Sequence, residues 1–322
     1  SMNTLSAIGD ILHPLLHKNT SDLYELRYSS SFTGQELFMA DHLGNGQRFF
    51  PLIAYLEMAR AAVKQAAGER AGTLSGIRMS HVATDDPLLV GDDLVQVHVG
   101  IYPEDTGELA YKIYSESNED DTRSVVHSHG MVEFTSFVEV PTLDLPALQA
   151  ESSEILTARQ CYELLKERGM ADHSEFQGID QVYRAPGHVL VKLSLPSITM
   201  ETAEQLVFHP SLLESLLPST RYLITEATSP DSIRSIQLDG TFTLEELEIY
   251  ENHPAVKYAL IRFSDNVQAE NETATLDIEL CDEAGRIGIR MRGFSMGSEK
   301  RGATVGTTML TPVWNAVSVE KG

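Results

Sequence analysis

Positive charge is scarce in this sequence of 322 residues. It has 24 Lys and Arg residues against 47 Asp and Glu residues, and its formal net charge is −23 at pH 7. Binding to nucleic acid or to an acidic membrane needs a basic face, so both functions are disfavoured. Cysteine is scarce as well: Cys161 and Cys281 are too few for a disulfide framework and lack the spacing of a metal site.

Long apolar runs and a charged-then-apolar leader are also missing. Neither a membrane span nor secretion is therefore predicted. Hydrophobic residues still make up 42% of the chain, which is ample for one large core or two modest ones. Ser1-Met2 is typical of an expression scar, which fits a domain excised from a longer polypeptide. We therefore expect a cytoplasmic protein.

The most informative stretch is H-x-x-x-G-x-x-x-x-P, formed by His42, Gly46 and Pro51. Pro51 suits the first position of a helix, where its missing N–H costs nothing. After it, apolar residues recur at helical spacing, so one face of a helix should be buried. They are Leu52, Tyr55, Leu56, Ala59, Ala62, Val63 and Ala66. A lone histidine near a turn is more often a core residue, but the fixed Gly and Pro spacing favours a functional one.

This motif resembles the first active-site motif of polyketide synthase dehydratase domains. The resemblance implies that His42 is the general base and that the Gly46 N–H binds the thioester carbonyl. It also implies an α+β double hotdog fold, in which two halves each wrap an antiparallel sheet around a long helix. Similar segments occur at His13 to Leu16, Val126 to Gly130, Phe208 to Glu214 and Leu310 to Trp314.

Two similar halves are expected along the chain. Short alternating stretches separated by turns indicate β-hairpins in each half, with a turn at Asp282 to Arg286 joining the last two strands. Pro141 and Pro146 should break any regular element between the halves. We therefore predict a first half over residues 1–140, a second half over 141–299 and a linker tail over 300–322. A short helix is predicted from Thr157 to Arg168 and a long one from Pro210 to Ala227.

The predicted second long helix departs from the family pattern. The family has an aspartate followed one turn later by Gln or His, whereas this chain has Glu214 and Pro218. The extra methylene would move the carboxylate by about 1 Å, and such a shift can cost roughly a hundredfold in rate. Pro218 removes the N–H that would bond the Glu214 carbonyl, so a kink is predicted there.

A third family motif, Tyr-Gly-Pro-x-Phe, has changed as well. Only Phe176 remains, and Asp172 stands where the family tyrosine borders the substrate tunnel. His173 is either a new catalytic group or an exposed loop residue. The predicted substrate-binding residues are Gly46, Pro51, Asp172, His173, Phe176 and Pro218, with His42 catalytic and Glu214 a second catalytic candidate.

The altered residues lie in the second half, while the histidine motif is intact. Dehydration needs both a base and an acid, whereas moving a double bond from α,β to β,γ needs one base and a donor for the dienolate oxygen. The chain thus resembles the enoyl-isomerase variants of trans-acyltransferase polyketide synthases. Three alternatives remain open: a dehydratase that uses Glu214, a cyclase that adds a hydroxyl to an enoyl thioester, and an inactive structural domain.

The resemblance implies partners but no cofactor. The substrate would arrive on the phosphopantetheine arm of an acyl carrier protein, beside neighbouring synthase domains, and the domain could form a homodimer. Because such carriers are generally acidic, a chain of net charge −23 needs a local basic patch for docking. The candidates are Arg286, Arg290 and Arg292, or Lys300-Arg301.

Overall fold

One long antiparallel sheet dominates the computed structural model of this chain. The structure describes residues 11–36, 48–68, 76–91, 93–116, 124–167, 178–194, 206–208, 216, 241–250, 256–264 and 275–296. Within these ranges, thirteen strands form the long sheet and two short strands form a separate ladder.

The strands before residue 136 are β1 (Lys18–Asn19), β2 (Leu26–Phe32), β3 (Arg48–Phe49), β4 (Gly76–Thr84), β5 (Leu89–Val90), β6 (Val95–Pro103), β7 (Leu109–Glu116) and β8 (Ser124–Thr135). The later strands are β9 (Glu154–Thr157), β10 (Ile179–Ala185), β11 (His188–Leu193), β12 (Phe242–Tyr250), β13 (Tyr258–Phe263), β14 (Leu276–Cys281) and β15 (Ile287–Met296). The helices are α1 (Leu52–Ala67), α2 (Leu145–Ala150) and α3 (Ala158–Glu167).

The strand order keeps the two parts of the chain on separate sides of the sheet. It runs β1-β2-β6-β7-β8-β4-β12-β15-β14-β13-β11-β10-β9, and β3 pairs with β5. The sides meet where β4 pairs antiparallel with β12, with Met79 opposite Leu247 and Ile77 opposite Ile249. One continuous hydrophobic core extends across this seam. The division of the chain into two halves at residues 140 and 141 stays a prediction.

Helix α1 is buried more completely than its apolar pattern predicts. Every residue from Leu52 to Val63 is buried, so the predicted face is buried as expected, and burial extends around the helix to include Glu57 and Arg60. The helix packs against β6 and β7, whose alternating residues point inward. Other sides of the helix contact His13, Leu88 and the segment 206–208. The predicted helix from Pro210 to Ala227 lies outside the described residues except for Leu216, which is helical and buried.

The segment between the two sides forms a short helix, which corrects the prediction that its prolines would break every regular element. Pro146 lies in the first turn of α2, where proline is tolerated. The side chain of Asp144 caps this helix by accepting from the Ala147 N–H at 3.1 Å. The helix contributes Leu145 to a second, smaller core on the outer face of the later strands.

The predicted turn between the last two strands is present and holds this linker in place. Gly285 has φ 81°, a conformation that favours glycine. Its carbonyl accepts from the Leu143 N–H at 2.8 Å. A Cβ at Gly285 would lie 2.1 Å from the Leu143 carbonyl oxygen, so the close approach also requires glycine.

Candidate active site

Pro51 is the one predicted site residue within the described ranges. The others lie outside them, so their positions and roles stay predictions. These are His42, Gly46, Asp172, His173, Phe176, Glu214 and Pro218. The described residues do show how the end of the histidine motif is held.

Pro51 is the N-cap of α1 rather than its first helical residue, one position earlier than predicted. It has φ −59° and ψ 135°, and its carbonyl accepts from the Ala54 N–H at 3.0 Å. The first turn of the helix contains no acidic residue, so its own side chains do not offset the partial positive charge of the helix N-terminus. The motif therefore ends at a buried helix N-terminus whose partial positive charge no acidic side chain of the first turn offsets.

A short ladder fixes the residues just before Pro51. Phe49 in β3 pairs with Leu89 in β5, and the Phe50 N–H donates to the Leu88 carbonyl at 2.8 Å. The Leu88 N–H in turn donates to the Tyr55 hydroxyl at 3.0 Å. Tyr55 belongs to α1. Hydrogen bonds to Leu88, which directly precedes β5, therefore connect the helix to the end of the motif.

Aromatic packing completes this support. Phe50 lies between Phe32 and Tyr55, with ring centroids 5.0 Å away on each side. All three rings are fully buried. Tilted ring pairs at this separation add to the stabilisation from burial alone. The chain thus enters a rigid core eight residues after His42.

A buried charged cluster on the same helix was missed by the sequence analysis. Glu57 is 0% exposed and accepts from Arg60 through two nitrogens: Nη2 at 2.7 Å and Nε at 3.1 Å. The same carboxylate lies 3.0 Å from His13 Nε2 and accepts from the Val207 and Phe208 N–H groups at 3.3 and 3.2 Å. The sequence did contain a signal for this cluster: a Glu and an Arg three positions apart within an otherwise apolar helix.

The contacts of His13 define its role in this cluster. Its Nδ1 accepts from the Leu15 N–H at 3.1 Å, so Nε2 carries the proton and donates to Glu57. Burial alone would raise the pKa of the Glu57 carboxyl, but hydrogen bonds from His13 and Arg60 outweigh it and lower that pKa below its ordinary value. Glu57 is therefore held as a carboxylate.

The arginines suggested for carrier docking do not form a free basic patch. Arg286 pairs with Asp282 at 2.7 Å, and Arg292 lies 3.7 Å from Glu246. Arg290 pairs with Glu279 at 2.8 Å and lies 3.6 Å from Glu248. Each charge is offset by a neighbouring carboxylate. Lys300 and Arg301 lie outside the described residues.

Possible metal ligands and both cysteines can be located within the described residues. Within those ranges no group of three His, Cys, Asp or Glu side chains could hold a metal ion. Both cysteines are buried free thiols, and burial raises the pKa of Cys161 to about 11 and that of Cys281 to about 12. Neither would be a thiolate at neutral pH. In the described part of the chain, no helix is long and apolar enough to cross a membrane.

Two models of one protein family match this chain, one in each part. The family model described as "Polyketide synthase dehydratase domain" matches residues 13–116, and "Polyketide synthase dehydratase N-terminal domain" matches residues 140–304. Polyketide synthase PksM of Bacillus subtilis is 34% identical over 98% of this chain. The chain therefore belongs to the polyketide synthase dehydratase family, which confirms the resemblance predicted from its motifs.

Solved structures agree with this assignment. A trans-AT PKS dehydratase domain from Brevibacillus brevis is 87% identical, with a TM-score of 0.74 over 90% of this chain and 100% of that chain. A second one from the same organism is 43% identical, with a TM-score of 0.77 over 88% and 98%. The predicted α+β double hotdog fold is thus confirmed. The chain spans 8% or less of the length of three Bacillus subtilis relatives, PksM, PksN and PksL.

Proposed function

We propose that this domain is an enoyl isomerase that shifts the double bond of a carrier-bound enoyl thioester from α,β to β,γ. The observation that carries the proposal is the contrast between the two motifs. The H-x-x-x-G-x-x-x-x-P motif is whole, and its end is braced by β5 and Tyr55. The second motif has Glu214 and Pro218 where the family has aspartate and Gln or His.

The proposed chemistry uses one base and one donor. His42 removes a proton from Cγ, the Cβ–Cγ double bond forms, and the former α,β electrons move into a dienolate. The Gly46 N–H, close in sequence to the N-terminus of α1, stabilises the dienolate oxygen. His42 then returns the proton to Cα and the thioester carbonyl re-forms. No proton is gained or lost overall, and no cofactor takes part.

A dehydratase is the second candidate, and a specific observation favours it. The solved relatives at 87% and 43% identity are described as trans-AT PKS dehydratase domains. In that case Glu214 would protonate the departing hydroxyl, which requires its pKa to be raised by burial. The inactive structural domain and the hydroxyl-adding cyclase are outcomes of the same test.

The test is a side-by-side assay of the domain with a carrier-bound α,β-enoyl thioester and a carrier-bound β-hydroxyacyl thioester. We expect β,γ-enoyl product from the first substrate and little dehydration of the second. His42→Ala should abolish turnover with an unchanged circular dichroism spectrum. His129→Ala is the matched control, because this partly exposed histidine pairs with Asp85 at 2.7 Å. Dehydration at a comparable or faster rate than isomerisation would return the domain to the dehydratase class.

The partners follow from the same proposal. An acyl carrier protein would deliver the substrate on its phosphopantetheine arm, within a cytoplasmic synthase whose neighbouring domains act before and after this one, and the domain could pair as a homodimer. Arg286, Arg290 and Arg292 are already paired with carboxylates. Docking of an acidic carrier therefore has to use another basic surface, for which Lys300 and Arg301 remain the candidates.

A further inference from the structure

Glu57 joins two segments of the chain that lie 150 residues apart. On one side it belongs to α1, six residues after Pro51, which is about 9 Å along a helix. On the other side it holds the backbone of Val207 and Phe208. Phe208 is the first residue of the second motif, and Glu214 follows six positions later.

We propose that Glu57 is a positioning residue that sets the second-motif segment against helix α1 and thereby aligns the two halves of the active site. The helix carries the end of the histidine motif, and the bound backbone leads directly into the second motif. Phe208 and, eight residues later, Leu216 are both fully buried in the same core as α1. Because Phe208 is the first residue of the second motif, a shift of Phe208 would displace the point at which that motif begins.

The hydrogen-bond pattern requires a carboxylate at this position. Oε1 accepts from His13, Arg60 and Val207, while Oε2 accepts from Arg60 and Phe208. Among the described residues, each hydrogen-bond partner of these two oxygens is a donor. A glutamine would have the right shape, but its NH₂ group would face donors at one end and would leave buried N–H groups without an acceptor.

Stability alone is a weak reason for such a cluster. The cost of desolvating a buried ion pair often cancels its attraction, and an apolar replacement of the same volume can be equally stable. Apolar side chains cannot accept hydrogen bonds from the Val207 and Phe208 N–H groups, as Glu57 does. These directional bonds are suited to fixing the position of the second motif relative to the first.

The test compares Glu57→Gln with Glu279→Gln. Glu279 is a matched control: it is also a buried, ion-paired glutamate, but it contacts Arg262 and Arg290 on the sheet. The first readout is hydrogen exchange of a peptide that covers residues 206–216. The second is kcat and KM for the carrier-bound enoyl thioester. The activity readout rests on the proposed isomerase function, whereas the exchange readout does not.

We expect Glu57→Gln to speed exchange in the 206–216 peptide. It should also lower kcat by about tenfold or more with little change in KM, because the second motif includes the predicted substrate-binding residue Pro218, and displacing it would misplace the substrate relative to His42 even though Glu214 donates no proton. Glu279→Gln should leave both readouts unchanged even if it lowers the melting temperature. Unchanged exchange at 206–216 in Glu57→Gln, or equal losses of kcat in both variants, would overturn the proposal. Absence of isomerisation in the unmodified chain would instead overturn the proposed function.

A second variant covers the case in which Glu57→Gln does not fold. Val207→Pro removes one of the two N–H groups that Glu57 binds and leaves His13, Arg60 and the carboxylate in place. It should reproduce the faster exchange at 206–216 and the loss of kcat. Normal exchange and normal kcat in Val207→Pro would show that this contact does not position the segment.

Discussion

Replacing Tyr55 by phenylalanine should weaken the support of the histidine motif by removing one oxygen atom. The Tyr55 hydroxyl accepts the Leu88 N–H at 3.0 Å, and both residues are buried. Leu88 also binds the Phe50 N–H at 2.8 Å through its carbonyl. The substitution therefore acts on Leu88 directly and on the end of the motif through it.

The expected loss in the free energy of unfolding follows from the Leu88 N–H, which would have no acceptor in Tyr55→Phe. Leaving one buried backbone donor without an acceptor costs about 1–3 kcal/mol. The ladder of β3 and β5 has two residues on each strand, so it offers little resistance to such a loss. A displacement of the motif by about 1 Å would cost about a hundredfold in rate, and we expect a kcat loss of about tenfold for a smaller shift.

Urea unfolding followed by circular dichroism and the isomerisation assay together check this prediction. Tyr114→Phe is the control, because Tyr114 donates to Glu25 at 2.9 Å from the outer face of β7. It should lower the free energy of unfolding while leaving kcat unchanged. Equal kcat losses in the two variants, or a Tyr55→Phe variant with native stability and native kcat, would refute the reasoning.

Two further predictions concern a buried histidine and the second motif. Burial lowers the pKa of His127 below the ordinary value of 6.5, so its stabilising effect is present above that pH and is lost as the pH falls toward the folded-state pKa. The difference in free energy of unfolding between the unmodified chain and His127→Gln should therefore be smaller at about pH 5.5 than at about pH 7.5. Urea titrations at the two pH values measure it, and a constant difference would contradict the prediction. Glu214→Gln should retain a substantial share of isomerisation, measured as the initial rate at which the β,γ-enoyl product forms from the α,β-enoyl substrate. Near-complete loss would mean that Glu214 shares the proton transfer.

Much of the sheet could be predicted because its residues alternate between core and surface. The last two strands, predicted on either side of the turn at Asp282 to Arg286, are present as β14 and β15, and the turn contains Gly285. The helix predicted from Thr157 to Arg168 corresponds to α3, which spans Ala158–Glu167. These are local properties of spacing and turn chemistry.

Contacts between distant segments could not be read from local patterns. The burial of Glu57 depends on His13 from one end of the chain and on Val207 from another. Likewise, Arg290 belongs to a predicted basic group, but Glu248 and Glu279 on neighbouring strands neutralise it. Spacing within one element predicts its inward face, but the partners on that face are set by the strand order.

Deuterium transfer within the substrate tests the one-histidine shuttle most directly. The substrate is a carrier-bound enoyl thioester deuterated at Cγ, followed for a single turnover in ordinary water, with the label located by mass spectrometry of the released acyl chain. If His42 carries the proton from Cγ to Cα, a fraction of the deuterium should appear at Cα before the imidazole exchanges with solvent. A product whose new Cα hydrogen comes entirely from water would contradict the shuttle and would point to separate acid and base groups.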